Sequence, residues 1–362
     1  MRIKYCLLFL FLLSFCKLFA QEDPKFLFFP WAQSVFNPAA MGEKENHMNF
    51  VGILRQHSMG NKDIENPIDP NDKNNTGNNT GNNTGSSGRN SDKPSYPNTD
   101  GQQVLVNIDS YIKKIKGAVG VSFLKDKNGS IDNIGFKLGY ASKFRVRGGK
   151  LSVGLQLGFL NMTPPTTDKI DPFDQGDPTL NFQSESLMDF DINFGVHYKA
   201  PTWYVGLSAT QLLGGLRISG EENYLNTTRQ LYAMGGYIWD LKTPVPWSIE
   251  PNILVRTNLV TWNFAAMVLA RYNGILWGGL SYQYDAGIAV LFGAVPFYND
   301  TNEYLKALEL GVAYNFATQK DHYVRGGGWG DFELVVCYGF NFYKEKALSG
   351  YGSSRHLYKN QY

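Results

Sequence analysis

The sequence predicts an all-β fold, a transmembrane antiparallel β-barrel of about fourteen strands with a disordered extracellular loop inserted near its start. Three observations carry that expectation. Segments of roughly 10 to 14 residues alternate apolar with small or polar residues. Aromatic residues make up 14% of the chain and 38 residues are Gly, a mixture suited to one lipid face and one wet face. Beyond the first twenty residues there is no apolar run of about 18, the length a membrane-crossing helix needs.

The chain begins with an export signal. Arg2 and Lys4 form a basic start, Leu7 to Phe15 an apolar stretch too short to span, and Leu18-Phe19-Ala20 a cleavage site before Gln21. A lipid-attachment site at Cys16 is disfavoured by the bulky Phe15 before it. Taking Arg2, Lys4 and Lys17 away leaves 31 basic residues against 32 acidic ones, so the mature chain carries −1. Such a balance, with no basic patch interleaved with aromatics, points away from nucleic acid. Cys337 is the one cysteine left after cleavage, which excludes a disulfide framework or a cysteine metal cluster.

The predicted organisation is a signal peptide over 1–20, an N-terminal periplasmic or plug segment over 21–45, a barrel over 46–343 and a tail over 344–362. Within the barrel, 60–100 is a low-complexity loop whose centre, Asn74 to Gly85, repeats Asn-Asn-Thr-Gly. So polar and glycine-rich a stretch cannot bury enough apolar area to offset its ordering entropy. The predicted strands run over 46–57, 102–111, 116–125, 131–144, 151–162, 188–199 and 202–212. They continue over 229–240, 247–258, 262–273, 275–285, 287–297, 306–317 and 332–343. The alternation is cleanest late in the chain, where Phe332, Leu334, Val336, Tyr338 and Phe340 are interleaved with Glu333, Val335, Cys337 and Gly339. A sandwich would show more Lys and Glu on the second face, which here is glycine-rich with isolated charges. An even strand count with both ends periplasmic puts the insert in the first extracellular loop. Trp203-Tyr204, Trp239, Trp247, Trp262 and Trp277 stand near strand ends and are expected to form interfacial girdles.

No enzyme chemistry is legible. G-x-S-x-G, H-E-x-x-H, Walker and G-x-G-x-x-G patterns are all missing, and Arg325 to Gly330 is glycine-rich without the Lys-Ser/Thr that reaches phosphate. His47, His57, His197, His322 and His356 have no ligand spacing, so no cofactor and no metal site is expected. Arg55, Asp189, Asp191, Glu250, Arg256, Arg271, Glu309 and Glu333 lie inside strands. A mid-membrane Arg or Lys on the lipid face costs roughly 2–4 kcal/mol, so these charges should face the lumen. There they either brace the barrel as ion pairs, the favoured reading because buried charges need partners, or contact a bound peptide or plug.

Several short segments, in order, resemble the PorP/SprF family of Bacteroidota outer-membrane proteins. They are Phe36-Asn37-Pro38-Ala39-Ala40-Met41-Gly42, Leu54-Arg55-Gln56-His57, Phe190 to Tyr198, Tyr204 to Ser208, Glu250-Pro251-Asn252, Trp277 to Tyr282 and Leu310 to Tyr314. The chain departs from the family pattern at His57, where Trp is usual, and at Asp331-Phe332-Glu333, where Ser/Thr-His-Glu is usual; the insert and the tail are additional. The resemblance implies an outer-membrane place in the type IX secretion and gliding system, helping to secrete or anchor a surface protein. It further implies, as partners, periplasmic secretion subunits or a surface adhesin recognised by its C-terminal domain, besides outer-membrane lipid. Asn37, Pro38, Gly42 and Arg55 are the candidate partner contacts. A general diffusion porin and a lipid-acting barrel enzyme remain as alternatives; no residue is offered as catalytic.

Overall fold

The structure is a computed structural model that describes residues 25–341 apart from 44–46, 58–100, 129–130, 164–185, 215, 220–227, 242–245, 285, 299, 301–304 and 317–329. The export signal, the Asn-Thr-Gly insert and the C-terminal tail therefore lie outside the described residues.

The strands close into one antiparallel ring of fourteen. In chain order they are β1 (His47–Gln56), β2 (Gly101–Ile112), β3 (Gly117–Asn128), β4 (Ile131–Val146), β5 (Gly149–Thr163), β6 (Leu187–Lys199) and β7 (Trp203–Thr210). Then follow β8 (Gln230–Tyr237), β9 (Trp247–Thr257), β10 (Trp262–Tyr272), β11 (Leu276–Gln283), β12 (Gly287–Ala294), β13 (Leu308–Phe316) and β14 (Asp331–Asn341). Closure comes from β1 pairing with β14, His47 opposite Asn341 and Arg55 opposite Glu333. A closed ring leaves no unpaired strand edge, the condition for a sheet to sit in lipid.

One strand, predicted continuous over 229–240, is broken, and another is followed by a short paired segment beyond its predicted end at 212. Gln211 adopts a left-handed φ of +56° after β7, and the chain resumes pairing with β6 at Leu216–Ser219, past a register shift at Met188/Asp189. Ile238 interrupts β8, its N–H donating to Thr202, before Trp239–Asp240 rejoins β9. Bulges and breaks of this kind gather at barrel rims.

Alternation sets which face each residue takes. Leu155, Leu157 and Phe159 of β5 point outward, as do Leu207, Leu280 and Phe292, among the most exposed apolar residues of the wall. Their strand neighbours Ser152, Gln156, Asn193, Ser208 and Ser281 are buried inside. This apolar-out, polar-in arrangement inverts a soluble protein because the outer solvent is lipid.

The connections differ at the two ends. Turns such as 147–148, 200–202 and 273–275 are short, whereas 57–100, 164–186 and 317–330 leave the opposite end. Two-residue hairpins need left-handed backbone at both positions, which Arg147-Gly148 supplies with φ of +47° and +78°.

Candidate functional site

The lumen is occupied by the chain's own N-terminal segment. Phe26 to Phe29, Ala32, Val35, Phe36 and Ala39 to Met41 are each at most 6% exposed, although they belong to no strand. One helical turn, α1 (Gln33–Phe36), and a tight turn at Pro38–Ala40 fold this segment inside the ring.

Loop backbone inside a barrel must find partners for its N–H and C=O groups, and the inner wall supplies them. Near the long-loop end, Leu27 and Phe28 each donate a backbone N–H to the carboxylate of Glu333 at 2.9 Å, and Gln283 donates to the Phe26 carbonyl at 3.1 Å. Further down, the Ser208 hydroxyl donates to the Phe36 carbonyl at 2.7 Å. Toward the short-turn end, Asp109 accepts from Gly42 N–H at 2.7 Å, Asn49 at 3.0 Å and Asn107 at 3.1 Å, so a buried carboxylate is satisfied by neutral donors.

Asn37 fixes the turn between these ends. Its side-chain oxygen accepts from Ala39 N–H at 2.9 Å, and its amide donates to the carbonyls of Val196 and Leu207 at 3.1 and 3.4 Å. Val196 and Leu207 are register partners on β6 and β7, so one side chain clasps two strands. The wall makes room with glycine. A Cβ at Gly195 would lie 2.0 Å from the Asn37 oxygen, and one at Gly154 would lie 2.4 Å from Ala39 N. Gly42 has φ +59° and would drive a Cβ to 2.4 Å from Ala118, so both its backbone and its surroundings demand glycine.

An aromatic cluster seals the other side. Trp31 lies 4.9 Å from Trp277, and Phe28 stands edge-on to both rings. Trp277 was expected in an interfacial girdle; it is instead 3% exposed and faces the lumen, as does Tyr204, which donates to Asn252 at 2.8 Å. Period-two placement decides this: Trp277 shares the inner phase of β11 with Ser281 and Gln283. Trp203, Trp239, Trp247 and Trp262 face outward.

Arg55 and Arg271 each centre an interior ion-pair group. Arg55 contacts Asp331 at 2.7 Å and Glu333 at 4.0 Å. Arg271 bridges Glu250 on β9 and Glu309 on β13, at 3.2 and 3.0 Å, with its guanidinium 6.0 Å over Trp277. Bracing and plug contact, posed as alternatives, meet in Glu333, which serves both. Among the described residues no group of His, Cys, Asp and Glu is arranged to hold a metal ion.

The family model of the type IX secretion system membrane protein PorP/SprF matches residues 94–338. The chain belongs to the PorP/SprF family. The matched stretch takes in β2 to β13 and most of β14 of this PorP/SprF barrel, and it begins after the plug and β1. No curated protein matches the sequence. Among solved structures, a deletion mutant of the TodX monoaromatic hydrocarbon channel is 11% identical, covering 86% of this chain and 94% of its own, at TM-score 0.46. The Ralstonia pickettii toluene transporter TbuX is 13% identical over 86% and 94%, at TM-score 0.44. Acinetobacter baumannii Omp33 is 6% identical over 83% and 100%, at 0.41. Likenesses this distant say nothing of what this PorP/SprF protein handles.

The structure brings the four candidate contacts into the lumen and gives each an internal partner or neighbour. Asn37 and Pro38 lie against Gly154, Gly195 and Gly206, Gly42 sits on Asp109, and Arg55 pairs with Asp331. Asp109, Ser208, Gln283 and Trp31 went unsingled in the sequence. Their signal was faint: glycine on the inner phase of successive strands, Gly154 opposite Gly195, marks where a second backbone approaches.

Proposed function

We propose that this PorP/SprF chain is an outer-membrane component of the type IX secretion and gliding system that acts as a protein partner, helping to secrete or anchor a surface protein, and neither as an enzyme nor as an open pore. The single observation that carries the reading is the filled lumen. A diffusion porin keeps a water-filled channel through its barrel, whereas here the buried segment from Phe26 to Gly42 is held by Glu333, Asp109 and Ser208 of the wall and by the grip of its own Asn37 on Val196. A barrel so occupied works through its rims. With the short turns facing the periplasm, as bacterial barrels place them, the long loops are the surface offered to a secreted protein.

The test has two parts. Purified protein in a planar bilayer is expected to give no large stable conductance, and a steady open pore would overturn the partner reading in favour of a porin. Deleting the protein and cataloguing surface proteins is expected to remove either one of them, marking a dedicated partner, or all cargo of the system, marking a core component. An unchanged surface would overturn both.

A further inference from the structure

We propose that Asp331 is the outer handle of a switch on the plug. A cation brought to the long-loop mouth draws off its charge, and Arg55 then closes on Glu333 and loosens that acid's hold on Leu27 and Phe28. The proposal rests on the protein-partner reading in taking the cation to be a Lys or Arg side chain of the secreted protein that meets this mouth.

Four side chains make a line from the rim to the plug. His57 follows β1 and Asp331 opens β14, both at the long-loop end, and both are partly exposed. His57 Nδ1 lies 3.2 Å from one Asp331 oxygen. Arg55 Nη2 donates to the other at 2.7 Å, as does Asn315 Nδ2 at 3.4 Å. Arg55 and Glu333 are buried and face each other across the β1–β14 seam. Each Glu333 oxygen accepts one plug N–H, from Leu27 or from Phe28. Glu333 is thus shut off from the mouth, and Asp331 is the acid of this group that a partner can touch.

The guanidinium stands between two carboxylates and is fully taken up by neither. Nε stops 4.0 Å from Glu333, beyond hydrogen-bond reach, and neither Nε nor Nη1 donates to any of the described residues. A guanidinium meets a carboxylate best through two parallel N–H bonds. A shift of about 1 Å would bring Nε within bonding distance of Glu333. The shorter contact, to Asp331, holds it back.

Charge balance gives the direction of the switch. With both acids ionised, Glu333 keeps the charge that makes its hydrogen bonds to Leu27 and Phe28 roughly twice as strong as neutral ones. Once Asp331 is neutralised from outside, the attraction of Arg55 falls on Glu333, in an interior where charges act strongly. A carboxylate held in that fork is a weaker acceptor for the two N–H groups. Those bonds, with Gln283 on the Phe26 carbonyl, tie down the outer end of the plug.

The test reads plug release as the maleimide reaction rate of Ser34→Cys in a Cys337→Ala background, using the full mature chain in phosphatidylcholine nanodiscs. Asp331→Asn leaves Arg55 and Glu333 as a neutral pair and should raise the rate about tenfold, in line with lost charge assistance to two hydrogen bonds. Asp331→Glu should restore the parent rate. In an Arg55→Gln background, where no cation can close on Glu333, Asp331→Asn should add no further rise. Asp132→Asn, which neutralises an exposed acid beside Lys125, should leave the parent rate unchanged. A dodecapeptide alternating Lys and Ser should speed labelling of the parent, less so as salt is added, and have no effect on Asp331→Asn. One alternating Glu and Ser should have no effect on either.

Heat-modifiable migration on gels confirms that each variant keeps its barrel; should Arg55→Gln lose it, Asp331→Glu and the peptides decide. An unchanged rate in Asp331→Asn, an equal rise in the Arg55→Gln background, or no response to the Lys peptide would overturn the proposal. A fast rate in Asp331→Glu, or an equal rise in Asp132→Asn, would make Asp331 a mere brace of the rim and overturn it as well. Labelling needs no secretion system, so it can fail while surface-protein loss in the deletion strain still upholds the partner reading, and the reverse.

Discussion

The carboxylate of Glu333 accepts the backbone N–H of Leu27 at 2.9 Å, joining the last strand to the N-terminal plug segment across 306 positions. Its second oxygen takes Phe28 N–H in the same way, and Arg55 supplies the counter-charge behind it. A fully buried acid is thereby satisfied only while the plug is seated.

Glu333→Gln should therefore loosen the plug. The amide keeps one acceptor, loses the charge and turns a donor toward a donor; hydrogen bonds to charged groups contribute about 2 kcal/mol each. In a Cys337→Ala background, a reporter cysteine at Ser34 should react with maleimide on the order of tenfold faster than in the parent. An unchanged rate would show that Glu333 does not hold the segment.

Gly195→Ala should displace Asn37 and with it the turn at Pro38. The new methyl would lie 2.0 Å from the Asn37 oxygen, and the opposing backbone of β7 leaves no slack. Gly158→Ala is the matched control, because its nearest neighbour is 3.8 Å away. Bilayer recordings should show new conductance for the first and none for the second.

Trp277→Ala should cost about 3–5 kcal/mol, the range for removing a buried large aromatic. Trp262→Ala, 63% exposed on the outer face, should change little beyond its lipid contacts. Urea or heat midpoints in detergent compare the two directly; equal shifts would place Trp277 outside the packed interior.

The Glu43–Lys199 pair should make plug docking sensitive to acid. Burial pushes the Glu43 carboxyl up, but the charges of Lys199, His197 and Lys143, with the Lys199 hydrogen bond, bring it down to about 2 from its ordinary 4.5. A carboxyl whose pKa is lower in the folded state stabilises that state above about 4.5, and the contribution fades as pH falls toward 2. Reporter labelling at Ser34 should rise over that window in the parent. Lys199→Met should flatten the response there.

Much of the wall was legible before the structure. All fourteen predicted spans coincide with strands to within a few residues, because alternation is a property of each strand and its two solvents. Arg55, Glu333 and Arg271 were placed inside by the cost of charge in lipid, and they are inside. Trp277 was misplaced because an aromatic near a strand end fits a girdle by position alone. Its phase with Ser281 and Gln283 was the better guide. His57 and Asp331, the two departures from the family pattern, lie in contact at 3.2 Å, which neither position announces alone.

The sequence by itself determined the number of strands, their phase and the two faces of the wall. Each of those follows from neighbours two residues apart meeting lipid on one side. Only the tertiary structure decided what fills the lumen and which acid grips Leu27. Phe26-Leu27-Phe28-Phe29 has no period of its own. Its place is set by ring closure, which brings Glu333 of β14, Asp109 of β2 and the glycines of β5 and β6 around the segment.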